Sequence, residues 1–486
     1  MTGSGGYNLS DTIVALATPS GVGAIGVVRL SGEGAIRVVQ KVFVGKDLDS
    51  QKSHTVHLGY IKTDGGEILD EVLVSIFKAP HSYTGENIAE VSCHGSPYIL
   101  RKIIELFIKK GARMARPGEF TMRAFLHGKM DLSQAEAVAD LIASESESSH
   151  RVAMRQMRGG FSHEIKKLRQ ELIDFASLIE LELDFAEEDV EFANRDELKK
   201  TVRRIQDFIK DLIRSFRLGN VLKEGVPTVI AGRPNAGKST LLNALLNEER
   251  AIVSEIAGTT RDTIEETLNI NGIQFRLIDT AGIREAQGKI EAIGVEKTYE
   301  KIRQAALLVY VFDVGELKID EVLADIEKLQ NGDIPLIVVC NKMDLNPYFD
   351  PGWLITPGAS DIPAYFFKNK KNIENTGIRP GSAQVITLSA INGMNIPYLK
   401  EKLYGVVISE KINLEHTIVT NARHLDALQR AGESLQDVLN AMDTGLTSDL
   451  VAMDIRQALA HLGEIIGEVG VEDLLGNIFS NFCIGK

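Results

Sequence analysis

The chain has 486 residues, of which 44% are hydrophobic, and its 54 basic and 67 acidic side chains give a net charge of −13. This length allows about three domains with sizeable cores. The negative balance argues against a broad electrostatic footprint on nucleic acid, although it leaves room for a local basic face.

The cysteine pattern and the polarity of the chain predict its compartment. Cys93, Cys340 and Cys483 have no paired spacing, which is typical of a reducing cytosol rather than of a disulfide scaffold or a zinc site. Residues 1–10 are polar and lack a signal-peptide pattern, and no apolar run reaches about 18 residues. We therefore expect a cytoplasmic protein without a membrane span.

Residues 11 to about 127 have an α/β pattern, with strands predicted at 11–17, 26–30 and 71–77. Residues 21–26 read GVGAIG and fit the G-x-G-x-x-G pattern of dinucleotide-binding folds. That fingerprint must open a helix, whereas the residues after it continue as a strand. We therefore predict a turn between strands, with a Rossmann site as the alternative.

Helical periodicity follows, from Ser133 to about residue 218. Ser133 and Glu136 have the spacing of a capping box at a helix start. Two long amphipathic helices are predicted, near 161–184 and 197–218. The acidic run between them, 182–191, is predicted to be a solvated face, with a carboxylate metal cluster as the alternative.

The phosphate loop of a nucleotide-binding domain comes next. Residues 232–239 read GRPNAGKS and match G-x-x-x-x-G-K-[ST]. The apolar strand 228–231 precedes the loop and the helix-compatible run 240–246 follows it, as the motif requires. Backbone N–H groups and the helix N-terminus can hold anionic phosphate. We expect Lys238 to reach the β- and γ-phosphates and the Ser239 hydroxyl to bind Mg²⁺.

Two further motifs are predicted to respond to the γ-phosphate. Residues 279–282 read DTAG at the end of an apolar strand. Asp279 would lie beside Mg²⁺, and the Gly282 N–H could approach the γ-phosphate because glycine allows close backbone contact. Residues 258–262 read GTTRD, and Thr260 is a candidate second Mg²⁺ ligand on a loop that orders around a γ-phosphate. A simple polar turn is the alternative for this segment.

The motifs at the last two strand ends predict which base the nucleotide carries. Residues 341–344 read NKMD after the apolar strand 336–340. Asp344 would accept two hydrogen bonds from guanine, whose N1–H and exocyclic amine form a donor pair that adenine lacks. Ser389 and Ala390 would support the base from the other side. The predicted nucleotide is therefore GTP.

Two positions separate the predicted mechanism from that of a Ras-like switch. Ras-type enzymes orient the attacking water with a glutamine directly after DTAG, and that position here is Ile283. Another group must serve, and Glu285, Gln287 and Glu291 are candidates. Asn235, inside the phosphate loop, would offer its amide oxygen to a K⁺ that neutralises developing charge as an arginine finger does. The alternative is that Asn235 only caps the loop.

These ordered motifs, together with FCIGK at 482–486, resemble those of the tRNA-modification GTPase family MnmE, also called TrmE. The resemblance covers essentially the whole chain, and matches at both ends exclude a generic GTPase. The N-terminal matches are ATP at 17–19, YTGE at 83–86, HG at 94–95, RPGEF at 116–120 and RAFL at 123–126.

The resemblance implies a multidomain α/β plus all-α fold, in which a P-loop GTPase domain is inserted into a helical domain and preceded by a folate-binding-type α/β domain. The implied segments are 1–127 for the N-terminal folate-binding and dimerisation domain, 128–220 for the first helical part, 221–408 for the GTPase domain and 409–486 for the second helical part. Residues 346–380 are predicted to be an inserted surface loop.

The resemblance also implies an activity and its partners. Members are cytoplasmic homodimers that act in a heterotetramer with an FAD-dependent partner subunit, MnmG (GidA). Together they install carboxymethylaminomethyl-type groups on the wobble uridine of tRNAs, using a formyl-tetrahydrofolate-type one-carbon carrier. GTPase domains would meet across the dimer when GTP and K⁺ bind, and hydrolysis would follow.

Site residues follow from the matching motifs. Asn235 would bind K⁺, and Ser254, Ile256 and Thr259 would complete its shell, largely through oxygen atoms. The family commonly has Thr where Ser254 stands, a difference that a backbone carbonyl ligand would not sense. Ser239 and Thr260 match the Mg²⁺ ligands. Lys238, Asn235 and Glu291 are predicted catalytic residues, with a surface helix charge as the alternative for Glu291.

The predicted GTP-binding residues are Asn235, Ala236, Gly237, Lys238, Ser239, Thr240, Ser254, Glu255, Ile256, Ala257, Gly258, Thr259, Thr260, Asp279, Thr280, Ala281, Gly282, Asn341, Lys342, Asp344, Ser389 and Ala390.

For the folate carrier, Arg29, Glu90, Lys129 and Lys486 match family positions. A carboxylate such as Glu90 can pair with the pterin N–H groups, and the cations can meet the glutamate tail. Each of these residues alone would be interpreted as a surface charge. Cys483 lies beside the implied pocket and is a candidate catalytic thiol, with a structural thiol as the alternative.

Two other classes of GTPase are alternatives to this family. A ribosome-assembly GTPase acting as an RNA-binding switch is the alternative function, but it would place a basic module beside the GTPase domain, where this chain has an acidic-to-neutral helical segment. A dynamin-like membrane remodeller would need a lipid-facing basic amphipathic or apolar segment, and the sequence shows none. The leading hypothesis is a K⁺-stimulated GTPase in tRNA modification.

Overall fold

The chain divides into two compact units, one comprising residues 1–143, 153–213 and 422–486 and the other residues 144–152 and 214–421. The four predicted domain segments are finer than this division and stay a prediction. The computed structural model describes residues 10–184, 195–247, 265–279, 305–316, 319–329, 334–351, 384–407, 417–444, 447–469, 475, 478, 479, 482, 484 and 485.

A seven-stranded sheet forms the N-terminal part of the first unit, in the order β3-β4-β5-β6-β2-β1-β7. Strands β1 and β7 run parallel, and all other neighbours are antiparallel. The predicted strands 11–17, 26–30 and 71–77 are confirmed as β1, β2 and β5. The bounds are β1 Thr12–Leu16, β2 Ile25–Ser31, β3 Phe43–Val44, β4 Thr55–Lys62, β5 Ile68–Phe77, β6 Ile88–His94 and β7 Ala112–Met114.

One face of this sheet is covered, and the other is exposed along β4 and β5. Buried and exposed residues alternate along β4 and β5, as expected where one face packs on a core and the other does not. Helices α1 (Ala35–Gln40) and α2 (Pro97–Lys109) cover the core face and bury apolar side chains such as Val39 and Phe107. The apolar alternation thus selects the strand register and leaves a face available for other contacts.

The glycine-rich segment 21–26 is a connection between strands, as predicted. Strand β1 ends at Leu16 and β2 begins at Ile25, so the last glycine of the pattern lies inside a strand and opens no helix. Gly21 has a φ of 133°, which an L side chain rarely adopts. The Rossmann alternative is therefore excluded.

A buried ion network explains several of the N-terminal motif residues. Arg123, with 0% exposure, donates to Asp11 at 2.7 Å and to Glu86 and Glu119 at 3.1 Å each. Arg113 pairs with Asp11 and Glu119 as well. Burial disfavours ionisation of Glu119, but its hydrogen bonds to both arginines outweigh this and lower its pKa. These charges hold the sheet edge to helix α3 (Glu119–Leu126).

The helical part of the first unit comes from two separate stretches of sequence. The helices predicted near 161–184 and 197–218 are confirmed, although the second runs further, to residue 224. Cross-contacts include Gln206 Nε2 to Gln436 Oε1 at 2.9 Å and Lys199 to Asp443 at 2.7 Å. The helices are α4 Leu132–Ala143, α5 Glu147–Met157, α6 Gly160–Asp184, α7 Arg195–Glu224, α11 Ala422–Asp443 and α12 Ser448–Ile466. The start of α5, to residue 152, and the end of α7, from residue 214, belong to the second unit.

The predicted capping box at α4 is wrong by two residues. The Asp131 carboxylate accepts the Gln134 backbone N–H at 3.1 Å, and the Gln134 side chain accepts the Asp131 N–H at 3.0 Å. This reciprocal pair is a capping box with aspartate at the N-cap. Ser133 instead donates to Asp131 from inside the helix, and Glu136 is buried against Arg423 and His424.

A six-stranded sheet forms the core of the second unit, in the order β13-β12-β11-β8-β10-β9. Neighbouring strands are parallel except β9, which is antiparallel to β10. Strands β11 and β12 are buried throughout, as parallel strands covered on both faces should be. The bounds are β8 Val226–Ala231, β9 Glu265–Ile270, β10 Ile273–Asp279, β11 Leu307–Asp313, β12 Leu336–Asn341, β13 Gln384–Thr387, α8 Lys238–Asn247, α9 Ile319–Leu329 and α10 Ile396–Val407.

The remaining predictions concern a membrane span, a metal cluster, the acidic run and the insertion. No helix among the described residues has the length and apolarity to cross a membrane. Within the same residues no cluster of three or more His, Cys, Asp or Glu side chains could hold a metal ion. Most of the acidic run 182–191 and of the insertion 346–380 lies outside the described residues, so the predictions for them stay predictions.

Candidate nucleotide-binding site

Five parallel strands of the second unit bring their carboxyl ends to one edge of the sheet. Strand β8 leads into the phosphate loop, β10 ends at Asp279 and β12 ends at Asn341. Asp279 is the register partner of Ile230 on β8, and Asn341 is that of Asp313 on β11. Motifs far apart in the sequence therefore meet where an open α/β sheet binds ligands.

The phosphate loop passes close to its neighbours at two glycines. A Cβ on Gly232 would collide with the carbonyl oxygen of Val311, and one on Gly237 with the side-chain nitrogen of Asn341. Gly237 has a φ of 89° and Asn235 a φ of 63°, the left-handed region that glycine and asparagine tolerate best. The loop therefore packs too closely on β11 and β12 to allow a side chain at either glycine.

Lys238 crosses this loop. It is the first residue of α8, and its Nζ donates to the carbonyl oxygens of Gly232 at 2.9 Å and Arg233 at 2.8 Å. The ammonium thus lies at a helix N-terminus, whose partial positive charge also favours anions. Ser239 and Thr240 follow in the first turn of the helix and are exposed. Cation, helix end and hydroxyls together suit a phosphate group.

Asn341 fastens the phosphate loop to the base motifs. Its Nδ2 donates to the carbonyl oxygen of Ala236 at 2.9 Å, and its Oδ1 accepts the backbone N–H of Ala390 at 3.0 Å. The side chain is buried, so both hydrogen bonds form away from water. One carboxamide therefore joins three motifs that the sequence had placed only in order.

Asp344 and Ser389 meet where guanine is expected. The buried Ser389 hydroxyl donates to Asp344 Oδ1 at 2.5 Å, while the aspartate itself is exposed. This hydrogen bond orients a carboxylate whose remaining lone pairs can accept from a base. Lys342 lies beside them at a φ of 66° and pairs with Asp313 at 2.7 Å. The structure thus brings Asp344 and Ser389 together, and their recognition of a two-donor base edge stays a prediction.

A network that sequence reasoning missed holds the start of the loop. Arg233 binds Asp325 of α9 through two nitrogens, at 2.6 and 3.3 Å, and Glu321 through a third at 3.0 Å. The buried Tyr310 hydroxyl donates to the same Asp325 at 2.9 Å. Burial and the hydrogen bond to Asp325 raise the pKa of Tyr310, so it stays a donor. An arginine at the second position of the motif was the only sequence signal for this anchor.

The residues at the mouth of the loop suit the expected cations. Mg²⁺ prefers oxygen ligands, and Ser239 offers a hydroxyl on the exposed first turn of α8. Asn235 is exposed in the loop itself and can offer its carboxamide oxygen to K⁺. The predicted residues 254–260, Thr280, Ala281, Gly282 and Glu291, with Ile283, Glu285 and Gln287, lie outside the described residues. The backbone of Asp279 is described and its side chain is not.

The residues predicted for folate lie in the first unit. Arg29 and Glu90 are register partners on β2 and β6 and form an ion pair at 2.7 Å. The Arg29 guanidinium also lies 5.8 Å from the ring centres of Tyr83 and Phe120. Lys129 donates to the carbonyl oxygen of Pro80 at 2.9 Å. The structure thus brings Arg29 and Glu90 together on the sheet face opposite helices α1 and α2.

Gly485 of the C-terminal motif lies against strand β1 in the same unit. A Cβ on Gly485 would collide with the carbonyl oxygen of Leu16, so only glycine fits at this position. Cys483 and Lys486 lie outside the described residues. Cys93 and Cys340 are free and buried, and burial raises their thiol pKa values to about 11 and about 12. Neither buried thiol is suited to act as a nucleophile.

A phosphate loop between β8 and α8, with its partner motifs at the carboxyl ends of the neighbouring parallel strands, defines a P-loop GTPase domain. Two family models match the rest of the architecture: the GTP-binding protein TrmE N-terminus over residues 12–129 and the MnmE helical domain over residues 132–483. The chain belongs to the MnmE family.

Curated relatives match over nearly their whole length. A tRNA modification GTPase MnmE from Christiangramia forsetii is 54% identical, covering 98% of this chain and 100% of the relative. One from Cytophaga hutchinsonii is 53% identical, covering 99% of this chain and 98% of the relative. Among solved structures, an Aquifex aeolicus Era variant bound to GDP and AlF4⁻ is 24% identical over 43% of this chain and 65% of its own, with a TM-score of 0.26. So low a TM-score supports no conclusion.

Proposed function

We propose that this chain is a K⁺-stimulated GTP hydrolase that acts in tRNA modification. With an FAD-dependent partner, it converts the wobble uridine to carboxymethylaminomethyl-type derivatives by means of a one-carbon folate. The observation that carries the proposal is the Asn341 carboxamide, which joins the phosphate loop to the base motif and so makes one nucleotide site of both. The names of the curated relatives support the tRNA-modification role over the ribosome-assembly alternative.

The described residues supply binding and orientation for hydrolysis. Lys238 and the N-terminus of α8 would hold the phosphates, Ser239 would bind Mg²⁺, and Asp344 would select guanine. Thr260, which lies outside the described residues, is proposed as the second Mg²⁺ ligand. Mg²⁺ supplies charge neutralisation at the phosphate oxygens when bound. Glu291 is proposed to act on the attacking water, because Ile283 has no polar group for that task.

Asn235 is proposed to take the place of an arginine finger. Asn235 has a left-handed backbone and is exposed in the loop, so its carboxamide oxygen could bind a K⁺ there. Ser254, Ile256 and Thr259 would complete the shell. A cation at this position neutralises charge that develops in the transition state. Hydrolysis should therefore depend on the size of the alkali cation.

The open face of the N-terminal sheet supports a homodimer. Val56, Leu58 and Tyr60 on β4 and Leu73 on β5 are large apolar residues on this face, and Leu58 lies directly opposite Leu73. Monomers rarely expose contiguous apolar patches of this kind. Arg29 and Glu90 lie on β2 and β6 of the same sheet, and with Lys129 and Lys486 they are proposed to hold the folate carrier.

The cation role is tested by hydrolysis rates in KCl and in NaCl. Asn235→Gly is the sharper variant, because glycine keeps the φ of 63° while the carboxamide is lost; Asn235→Ala adds backbone strain. We expect each variant to lose the KCl stimulation while GDP affinity stays within about threefold. Equal stimulation of the glycine variant and the wild type would refute the K⁺ assignment.

The tRNA role is tested in cells that lack the gene. Mass spectrometry of wobble nucleosides should show the carboxymethylaminomethyl-type group only after complementation with the full chain. Normal wobble nucleosides in the deletion strain would refute the role in modification, whatever the GTPase rate.

A further inference from the structure

One histidine in the N-terminal sheet is held by a buried carboxylate and serves no part of the site described above. His94 ends β6, and Asp70 lies on the neighbouring strand β5. Asp70 Oδ1 accepts from His94 Nδ1 at 2.7 Å, and Oδ2 accepts the His94 backbone N–H at 2.8 Å. The histidine side chain is 70% exposed, whereas that of Asp70 is 8% exposed.

This geometry selects one form of the imidazole. A carboxylate that accepts from Nδ1 requires the proton on Nδ1, so the lone pair of the neutral ring lies on Nε2. The other oxygen of Asp70, Oδ2, accepts the backbone N–H of His94, so the carboxylate is fixed as well. The result is an exposed imidazole that its carboxylate partner holds in one orientation.

The glycine-rich segment 21–26 lies beside this histidine. Gly23 N–H donates to Gly95 O at 3.0 Å, and Gly95 N–H donates to Ala24 O at 3.2 Å. A Cβ on Gly95 would collide with the carbonyl oxygen of Gly23, so the HG sequence at 94–95 is what lets the loop approach. Ile25, the register partner of His94, is exposed, as is Val22. Two motifs without another role therefore meet at one place.

The neighbouring thiol does not compete for the role of base. Cys93 is buried, and its Sγ contacts the carbonyl oxygen of Gly26. Burial, and secondarily the charge of Asp70, raises its pKa to about 11, so it stays protonated near neutral pH. His94 and Glu90 lie four residues apart on β6, at a spacing of about 13 Å along the strand.

We propose that His94 is a catalytic base for the modification reaction, that it deprotonates a primary ammonium group, and that Asp70 positions it. The proposal rests on the proposed function. The carboxymethylaminomethyl group consists of one carbon joined to the nitrogen of a glycine unit, so the ammonium form of that amine must lose a proton before its nitrogen can bond to carbon. One N–H bond breaks, its electron pair stays on nitrogen, and the proton bonds to Nε2 and then leaves to solvent.

The test is a reconstituted reaction with the full chain, its FAD-dependent partner, GTP, KCl, unmodified tRNA, a tetrahydrofolate one-carbon carrier and glycine. His94→Ala should lower the rate of tRNA modification about 100-fold, the lower range for loss of a general base. GTP hydrolysis should stay within twofold of wild type. Imidazole added to the buffer should restore part of the lost rate, because it can enter the space that the side chain left.

Two variants separate this role from a structural one. Asp70→Asn should lower the modification rate about tenfold without rescue by imidazole, because the mispositioned ring still occupies the site. His81→Ala is the matched control, an exposed histidine of the same unit, and should leave the rate unchanged. A full rate for His94→Ala, or a loss that imidazole leaves unaltered, overturns the proposal. Failure of the wild-type reaction would instead overturn the proposed function.

Discussion

At the scale of single residues, the phosphate loop is held from outside its own motif. Arg233 anchors the loop, because its guanidinium binds the carboxylate of Asp325 on α9 in a bidentate geometry. Burial opposes ionisation of Asp325, yet the hydrogen bonds from Arg233 and Tyr310 lower its pKa. The position of Asn235, two residues after Arg233, therefore depends on a carboxylate that is 92 residues from Arg233 in the sequence.

Replacing Asp325 should disturb the proposed cation site before it disturbs the fold. Asp325→Asn keeps the shape and removes the charge that holds Arg233. Since the Arg233 side chain is 41% exposed, solvent screening limits the loss to about 1 kcal/mol, or roughly fivefold. We expect the KCl concentration for half-maximal hydrolysis to rise by about that factor. Titration of the GTPase rate with KCl at saturating GTP measures it.

Glu321→Gln is the matched control for this prediction. Glu321 contacts only one nitrogen of Arg233, at 3.0 Å, and is half exposed. The control should therefore stay within twofold of wild type. An unchanged potassium requirement in Asp325→Asn would show that the ion pair does not position the loop.

At the scale of elements, hydrophobic periodicity predicted the structure well where the interactions are local. The prediction 161–184 differs from α6 by one residue, because apolar spacing and helix propensity act within a few turns. The phosphate loop was likewise recognisable because its constraints lie within eight consecutive residues.

Long-range partners were the part that the sequence could not supply. Glu136 fits a capping box by spacing, but its partner Arg423 is 287 residues away. The sequence does not show whether a charged residue is buried or solvated, so only the fold distinguishes the two cases. The same holds for Asp70 and His94, which strand pairing brings together across 24 residues.

The start of α4 offers a test of the corrected cap. Asp131→Ala removes the side-chain acceptor for the Gln134 N–H and for the Ser133 and Ser162 hydroxyls. Loss of an N-cap costs about 1 kcal/mol, and the buried hydroxyls left without this acceptor add to it. Hydrogen exchange of the α4 amides should speed up severalfold. Ser133→Ala, which removes only one of these hydrogen bonds, should change exchange less; a larger effect there would favour the original assignment of the cap.

At the scale of the whole molecule, the first unit is assembled from three segments that the second unit interrupts. A buried charge cluster joins two of these segments. Arg423 binds Glu136 through two hydrogen bonds of 2.8 Å and also donates to the carbonyl oxygens of Glu464 and Ile465. His424 Nε2 lies 2.8 Å from the same carboxylate. The Glu136 carboxylate therefore links the N-terminal segment to the C-terminal helices.

This cluster predicts how the stability of the first unit depends on pH. Burial disfavours ionisation of Glu136, but the charges and hydrogen bonds of His424 and Arg423 outweigh it and lower its pKa from 4.5 to about 2. The folded-state pKa lies below the unfolded value, so the unfolded state binds the proton first. The stabilisation is thus complete above pH 4.5 and is lost as the pH falls towards 2. A shift of this size corresponds to on the order of 3 kcal/mol.

Urea unfolding followed by far-UV circular dichroism can isolate this contribution if wild type is compared with Glu136→Gln. Near pH 6 the variant should be less stable by about 3 kcal/mol, because Arg423 and His424 then stay buried without their anion. Subtracting the unfolding free energies of the two proteins removes the contribution of the carboxylates that they share. It should shrink steadily between pH 4.5 and 2, as wild-type Glu136 itself becomes protonated. A difference that stayed constant over that range would mean that the carboxylate does not carry the charge that joins the two segments.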